Sequence, residues 1–347
     1  MDRGVDDEGA LAAVRTVPGK PVVDSDLVAA TALLREATDV TLLAHVNPDA
    51  DALGSALALG LALHRGGATV RVSFGEPDTT PESLRDLDTA GLMVPPSAVP
   101  AAPELLVALD AGSAARLGSL AGRVRTARRV LVVDHHASNT RFGTHHLVDD
   151  TAEATVVLVL RLLDELGAEL DLDIARCLYA GLVTDTRCFR LASPETHLLA
   201  ARLVALGVRP EAEARVLLDT HPFGWLGMLS SVLRRARLEP EAARGLGLVH
   251  TTVRLDDAAQ LRTEEVESVV DLVRTVSEAE VAAVLKEVGP DRWSASLRAK
   301  QHLDVGAAAT LLGGGGHRLA SGFTAVGTAD EVLDALRIAL DTAPLIA

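Results

Sequence analysis

The run His45-Val46-Asn47-Pro48-Asp49-Ala50-Asp51 sets an imidazole and two carboxylates around a proline turn. A strand ending on the histidine, the turn, and a helix starting at the aspartates would aim three side chains at one point. Imidazole with carboxylate suits Mn, Fe or Zn. The same residues also fit a plainer role, with Asp51 capping the helix and Asp49 serving the turn. Two further apolar runs end in acid: Glu104 to Asp110 (ELLVALD), and Arg129 to Asp134 (RVLVVD), which continues into His135-His136. Acids at three strand ends of one parallel sheet would converge on a single crevice with more negative charge than a protein holds uncompensated. A divalent metal is the usual compensation. With Asp185 added, four carboxylates (Asp49, Asp51, Asp110, Asp185) and two or three imidazoles suit two cations about 3.5–4 Å apart, sharing a carboxylate and a bridging water.

A second candidate is Gly313-Gly314-Gly315-Gly316-His317. Glycines let backbone amides approach an anion, and a helix starting after them would add its dipole. In the neighbouring run from Trp293 to Arg298, a period of two puts Trp293, Ala295 and Leu297 on one face and Ser294, Ser296 and Arg298 on the other. Arg298 is thus a candidate phosphate fork. His145-His146 with Asp149-Asp150 mimics a ligand cluster, but no apolar strand leads into it, so a solvated loop is expected. His64, His197, His221, His250 and His302 read as surface or capping residues, and Cys188 as a bystander without an activating partner.

The elements that position these residues follow from apolar patterning. Val40–Val46, Thr69–Phe74, Glu104–Asp110 and Arg129–Asp134 are compact strand-like runs separated by helix-length or loop-length stretches, the first leading into a helix over Ala52–His64. That alternation predicts an α/β fold with a parallel sheet covered by helices and buried on both faces, whose ligands collect at the carboxyl ends of the strands. Helical spacing of Ile174, Leu178, Leu182 and Asp185 places Asp185 near a helix end on its inward face. Strand signals return from Gly245 onward, so a smaller C-terminal α/β domain is expected. The divisions expected are a flexible tail over residues 1–20, a first domain over 21–222, a linker helix over 223–242 and a second domain over 243–347.

The chain has 347 residues, enough for two domains with their own cores, and its formal charge is 33 − 48 = −15. Blanket electrostatic binding to long nucleic acid is therefore excluded, and any phosphate must meet a local site. Two cysteines make no disulfide framework, the acidic N-terminus does not resemble a secretory leader, and no apolar run approaches a membrane span. A cytoplasmic protein without a membrane partner is expected.

HVNPDADALGS, the aspartate of LVALDAG, VVDHHASN, the aspartate of GLVTDTRCFR, and GGGGHRLASG occur in the order found in DHH phosphoesterases, which this chain therefore resembles over about residues 38–325. The last motif resembles the nucleotide-handling associated domain of their oligoribonuclease branch. The resemblance makes residues 21–222 the catalytic domain and 243–347 the associated substrate-binding domain. It implies two Mn²⁺ per subunit, with Mg²⁺ or Co²⁺ as substitutes: His45 and Asp49 on one, Asp51, His135 and Asp185 on the other, and Asp110 bridging. It implies that His136 faces the scissile phosphate, that Asp134 supports the histidine pair, and that Arg298, Ser296, Gly315, Gly316 and His317 grip substrate phosphate. The family more often carries Gly-Ser or similar small residues where this chain has Arg187-Cys188.

The activity implied is hydrolysis of a phosphoester by a metal-activated water. Family substrates are short oligoribonucleotides including pApA, 3′-phosphoadenosine 5′-phosphate (pAp) and cyclic di-AMP, and the expected assembly is a homodimer. Two alternatives share some of these features. A family II inorganic pyrophosphatase has the same metal core, but with a Lys/Arg-rich grip in place of GGGGH. A nucleotide sensor without catalysis could lose a ligand, whereas all six positions here are ligand-competent. A long-chain exonuclease would need a cationic, aromatic track that eight aromatic residues do not supply.

Overall fold

The structure is a computed structural model that describes residues 24–259 and 261–346. The tail expected over residues 1–20 lies outside them. The chain divides between Thr220 and His221 into two compact units.

The first unit is built on β1 (Asp39–Leu43), β2 (Thr69–Ser73), β3 (Leu105–Leu109), β4 (Arg129–Asp134) and β5 (His145–Val148). All neighbours run parallel in the order β2-β1-β3-β4-β5. Leu42, Leu105, Val107, Leu131 and Val133 face a core shared with the helices Asp24–Glu36, Ala50–Arg65, Thr155–Leu166 and Leu172–Asp185. Leu43, Leu106, Ala108, Val130 and Val132 face the other way, onto Val99, Leu117 and Leu120. Burial on both faces is why these strands read as continuous apolar runs. Each fully buried Leu or Val contributes about 1.5–3 kcal/mol, which fixes the strand ends that carry the acids.

Strand order reverses at β1, which has β2 on one side and β3 on the other, so a crevice opens beyond the carboxyl ends of β1 and β3. Two glycines let helices close in on it. A Cβ on Gly54 would stand 2.4 Å from the Cys177 carbonyl oxygen, and one on Gly181 would stand 2.8 Å from Asp51 Oδ1. The helices Ala50–Arg65 and Leu172–Asp185 therefore touch backbone to backbone where Asp51 and Asp185 emerge. His145-His146, expected as a solvated loop, is instead the edge strand β5. Its half-exposed position removes the need for an apolar run, and His146 Nε2 accepts the Gly143 N–H at 3.2 Å.

The second unit contains β6 (Arg237–Glu239), β7 (Leu248–Val253), β8 (Val281–Gly289), β9 (Arg292–Ala299), β10 (Gly315–His317) and β11 (Ala320–Val326), ordered β10-β11-β9-β8-β7-β6. β7 and β8 are parallel; the other neighbours are antiparallel. Segment 223–242, expected as a linker, is built into this unit. The helix Gly224–Arg234 buries Met228, Leu229 and Val232 among Val249, Val269 and Val270, and β6 is an edge strand. Trp293, Ala295, Leu297 and Phe323 line the other face with Leu333 and Leu336 of the helix Ala329–Thr342. The glycine run is not a loop opening a helix, as expected; Gly315–His317 pairs with β11 as a hairpin. Gly316 has φ +139°, and a Cβ there would lie 2.6 Å from the Ala320 carbonyl oxygen, so the close hairpin accounts for the glycine. No described helix is long and apolar enough to cross a membrane.

Candidate metal centre

His45 lies two residues beyond β1, in a segment fastened by main-chain bonds from Ala44 to Ser73 (3.0 Å), Val46 to Arg116 (2.8 Å) and Asn47 to Glu76 (2.7 Å). Asn47 has φ +50° and Asp110, just past β3, has φ +56°; Asn and Asp are the side chains that best tolerate this region. Asp49 is the N-cap of the helix Ala50–Arg65, with Oδ1 accepting from the N–H groups of Asp51 (3.1 Å) and Ala52 (3.0 Å). Its Oδ2 stands 3.6 Å from His45 Nε2. Capping and site placement therefore use different oxygens of one carboxylate.

Asp110 stands at the middle of the site. Its Oδ2 is 3.4 Å from His45 Nε2, and its Oδ1 is 3.5 Å from His135 Nε2. His135 Nε2 also lies 3.2 Å from Asp185 Oδ2 and 3.9 Å from Asp51 Oδ2. Two groups result, His45/Asp49/Asp110 and Asp51/Asp110/His135, each with ligand atoms within 4.8 Å of one another. The structure thus brings together all six residues that the resemblance names as ligands.

The surroundings orient these side chains. His45 Nδ1 meets the Val46 carbonyl at 2.7 Å and His135 Nδ1 meets the Ala152 carbonyl at 3.2 Å. An Nδ1–H donated to a carbonyl leaves Nε2 as the acceptor nitrogen in each ring. Asp134 Oδ1 holds His136 Nδ1 at 2.7 Å, while its Oδ2 accepts from Asn139 Nδ2 at 2.5 Å. Thr155 Oγ1 donates to Asp110 Oδ1 at 2.9 Å. Asp51 accepts from the N–H groups of Thr155 (2.7 Å) and Val156 (2.9 Å), the first of the helix Thr155–Leu166. Thr155 and Asn139 escaped the sequence reading. The one signal was that Ala154, at the N-cap, has no side-chain oxygen, so the first N–H groups of that helix need an outside acceptor.

Proton affinities report the crowding of charge. Burial pushes the Asp51 carboxyl well up, and the neighbouring Asp185 and Asp110 charges push it further. Burial also raises Asp185. Burial would lower His45, yet Asp49 and Asp110 outweigh it and raise the imidazole to about 10. His135 is likewise raised, against burial, by Asp185 and Asp110. Burial opposes ionisation of Asp110 too, but contact with His45 and the charges of His136 and His135 hold it well below the carboxylate range. Without a cation, protons on the histidines must balance the acids. The donor set fits divalent metal: imidazole acceptors, carboxylates, and one carboxylate whose oxygens face separate groups.

The second-unit candidates also share one face. His317 pairs with Ala320 and Ala320 with Arg298; one register level away, Gly315 pairs with Gly322 and Gly322 with Ser296. Directly opposed residues point the same way, so Arg298, Ser296 and His317 lie on one side of β9-β11-β10, with Arg298 and His317 two strand spacings, about 10 Å, apart. Arg298 Nη1 donates to the Leu297 carbonyl at 3.0 Å. Ser296 is engaged from within: Lys286 Nζ donates to its Oγ at 2.8 Å, and that hydroxyl donates to Glu267 at 3.2 Å. Arg187, Cys188 and Phe189, just beyond Asp185, have φ of +51°, +55° and +64°. Three successive left-handed residues without glycine cost about 1–2 kcal/mol each, so glycine, which lacks Cβ, would suit this turn better.

A parallel sheet with a dense acid and histidine crevice at its switch point offers the donor set that divalent metal suits. The chain matches the model of the DHH family, N-terminal domain, over residues 39–182 and that of the DHHA1 domain over residues 247–343. It is 32% identical over 305 residues to the bifunctional oligoribonuclease and PAP phosphatase NrnA of Thermus thermophilus, covering 86% of this chain and 89% of that protein. A probable manganese-dependent inorganic pyrophosphatase of Streptococcus mutans is 28% identical over 161 residues, 46% of this chain and 51% of that one. The solved structure of an exopolyphosphatase-related protein from Bacteroides fragilis superposes with a TM-score of 0.81 at 20% identity, over 93% of this chain and 98% of that one. The chain belongs to the DHH family of phosphoesterases.

Proposed function

We propose that this phosphoesterase hydrolyses short oligoribonucleotides such as pApA to mononucleotides, removes the 3′-phosphate of pAp, and opens cyclic di-AMP. We assign one Mn²⁺ to His45 and Asp49 and a second to Asp51, His135 and Asp185, with Asp110 shared and Mg²⁺ or Co²⁺ able to substitute. The observation that carries this reading is the division of Asp110, Oδ2 toward His45 and Oδ1 toward His135. When bound, the pair of cations supplies a nucleophilic water near neutral pH and offsets phosphoryl charge.

The protein's own residues do the rest. Thr155 holds Asp110 Oδ1 in place. Asp134, itself gripped by Asn139, fixes the His136 ring through Nδ1; against burial, Asp134 and Asp110 raise that ring's proton affinity, and as an imidazolium it offers Nε2–H to a phosphoryl oxygen. In the second unit Arg298 offers a guanidinium fork and Gly315, Gly316 and His317 offer backbone and imidazole donors to a substrate phosphate, with Ser296 beneath them. A net charge of −15 and eight aromatic residues favour short substrates over long nucleic acid. The NrnA relative of Thermus thermophilus supports this substrate class, being named for both oligoribonuclease and PAP phosphatase activity. A homodimer in the cytoplasm is the assembly and location the family resemblance suggests.

Similarity to the pyrophosphatase extends over less than half of this chain, so the pyrophosphatase reading is the weaker one. Timed product analysis of the Mn²⁺-loaded protein with pApA, cyclic di-AMP, pAp, end-labelled RNA and pyrophosphate in parallel tests the assignment. Mononucleotide release from pApA is expected; turnover of pyrophosphate alone would replace the proposal with its rival.

A further inference from the structure

Arg116 lies six residues after Asp110, in the turn Ala114–Leu120, and its carbonyl accepts the Val46 N–H at 2.8 Å, next to His45. The same segment backs onto His136, since a Cβ on Gly112 would sit 3.8 Å from His136 Cβ. One short stretch thus begins at the shared carboxylate, borders His136 and is tied to the His45 loop. The Arg116 side chain is exposed.

In this acid-rich chain many arginines are consumed locally. In the first unit Arg65, Arg71, Arg161, Arg176 and Arg202 each pair with a carboxylate. Among the described residues the Arg116 guanidinium makes no hydrogen bond or ion pair, although the segment that carries it borders a site built from four aspartates. Its backbone is held and its head is uncommitted, the arrangement of a group that waits for an anion. A guanidinium presents a planar fork of donors matched to two phosphoryl oxygens, and loses less freedom per bond than a lysine would.

We propose that Arg116 is a substrate-binding residue that grips non-bridging oxygens of the phosphate under hydrolysis, an inference that rests on the phosphodiesterase reading above. The test compares wild type, Arg116→Ala and Arg116→Lys, full length and Mn²⁺-loaded, by kcat and KM on pApA and by calorimetric Mn²⁺ titration. Loss of one charged donor to the phosphate under hydrolysis predicts a fall in kcat/KM of about 10²-fold or more for the alanine variant, with Mn²⁺ stoichiometry and affinity unchanged. Lysine should restore about tenfold, as a point charge without the fork. A kcat/KM within twofold of wild type would overturn the proposal, as would Mn²⁺ uptake falling in step with activity, which would make Arg116 a support for the His45 loop. If wild type cleaves no phosphodiester, the phosphodiesterase reading fails on its own. Calorimetric binding of AMP to the same proteins then decides: weaker binding to Arg116→Ala by about tenfold upholds the grip, and equal binding removes it.

Discussion

Asp49, Asp51, Asp110 and His135 in the first unit are each held by contacts besides the ones they make with one another, whereas Arg298 in the second donates only to the carbonyl of its own neighbour among the described residues. Strand ends, two helix starts and a threonine fix the acids; the proposed phosphate face is one side of a sheet at a glycine hairpin. The contrast suggests a division of labour. Groups that must surround cations are set before anything binds, where misplacement by about 1 Å can cost 10²-fold. The groups proposed to take a substrate phosphate share one side of a sheet instead of a closed crevice, in keeping with the several short substrates proposed.

Breaking the rigid half should have the largest effect. Asp110→Ala removes the carboxylate that both groups share, and hydrolysis of pApA with Mn²⁺ supplied should fall by on the order of 10³-fold or more. Near-normal turnover would sink the dinuclear assignment. Thr155→Val keeps the shape of the side chain but deletes its bond to Asp110, so Mn²⁺ affinity or activity should drop by roughly 10–100-fold with the melting temperature little changed.

Breaking the adaptable half should cost less and show up differently. Arg298→Ala should raise KM for a dinucleotide by roughly 10–100-fold, the worth of a charge-assisted bond, while kcat changes little. The same substitution, and His317→Ala, should affect a dinucleotide more than a 20-mer RNA. Equal losses on both would show that these residues do not set substrate length.

The smallest expected effect lies away from both sites. Glu239 is held down to about 2 chiefly by the Arg337 guanidinium, with His250 adding to it. An acid depressed in the folded state stabilises the fold above its usual range near 4.5 and loses that contribution as pH falls toward about 2. Glu239→Gln should therefore cost at most about 1 kcal/mol at pH 7, the pair being part-exposed, and nothing near pH 2. Melting curves of the two proteins that stay equally separated from pH 7 to pH 2 would contradict this.

The first unit was legible in the sequence because its strands are buried on both faces and end on acids, so position and chemistry were written in consecutive residues. What was not legible depends on partners far along the chain. Thr155 reaches Asp110 across 45 positions, and Ser296 is engaged by Lys286 and Glu267. The strand His145–Val148 lacks an apolar run because it is an edge. The glycine run suggested a loop because nothing local shows that Ala320–Val326 folds back onto it. The excess of acid, which argues against blanket binding of long nucleic acid, has a partial explanation in four aspartates gathered at one crevice.

The central claim is that one carboxylate serves two metals at once. Equilibrium Mn²⁺ binding to the full chain, wild type beside Asp110→Ala, tests it most directly. Two tightly bound ions per wild-type chain are expected, with loss of tight binding at both sites in the variant. A single ion per wild-type chain, or two undiminished sites without Asp110, would contradict it.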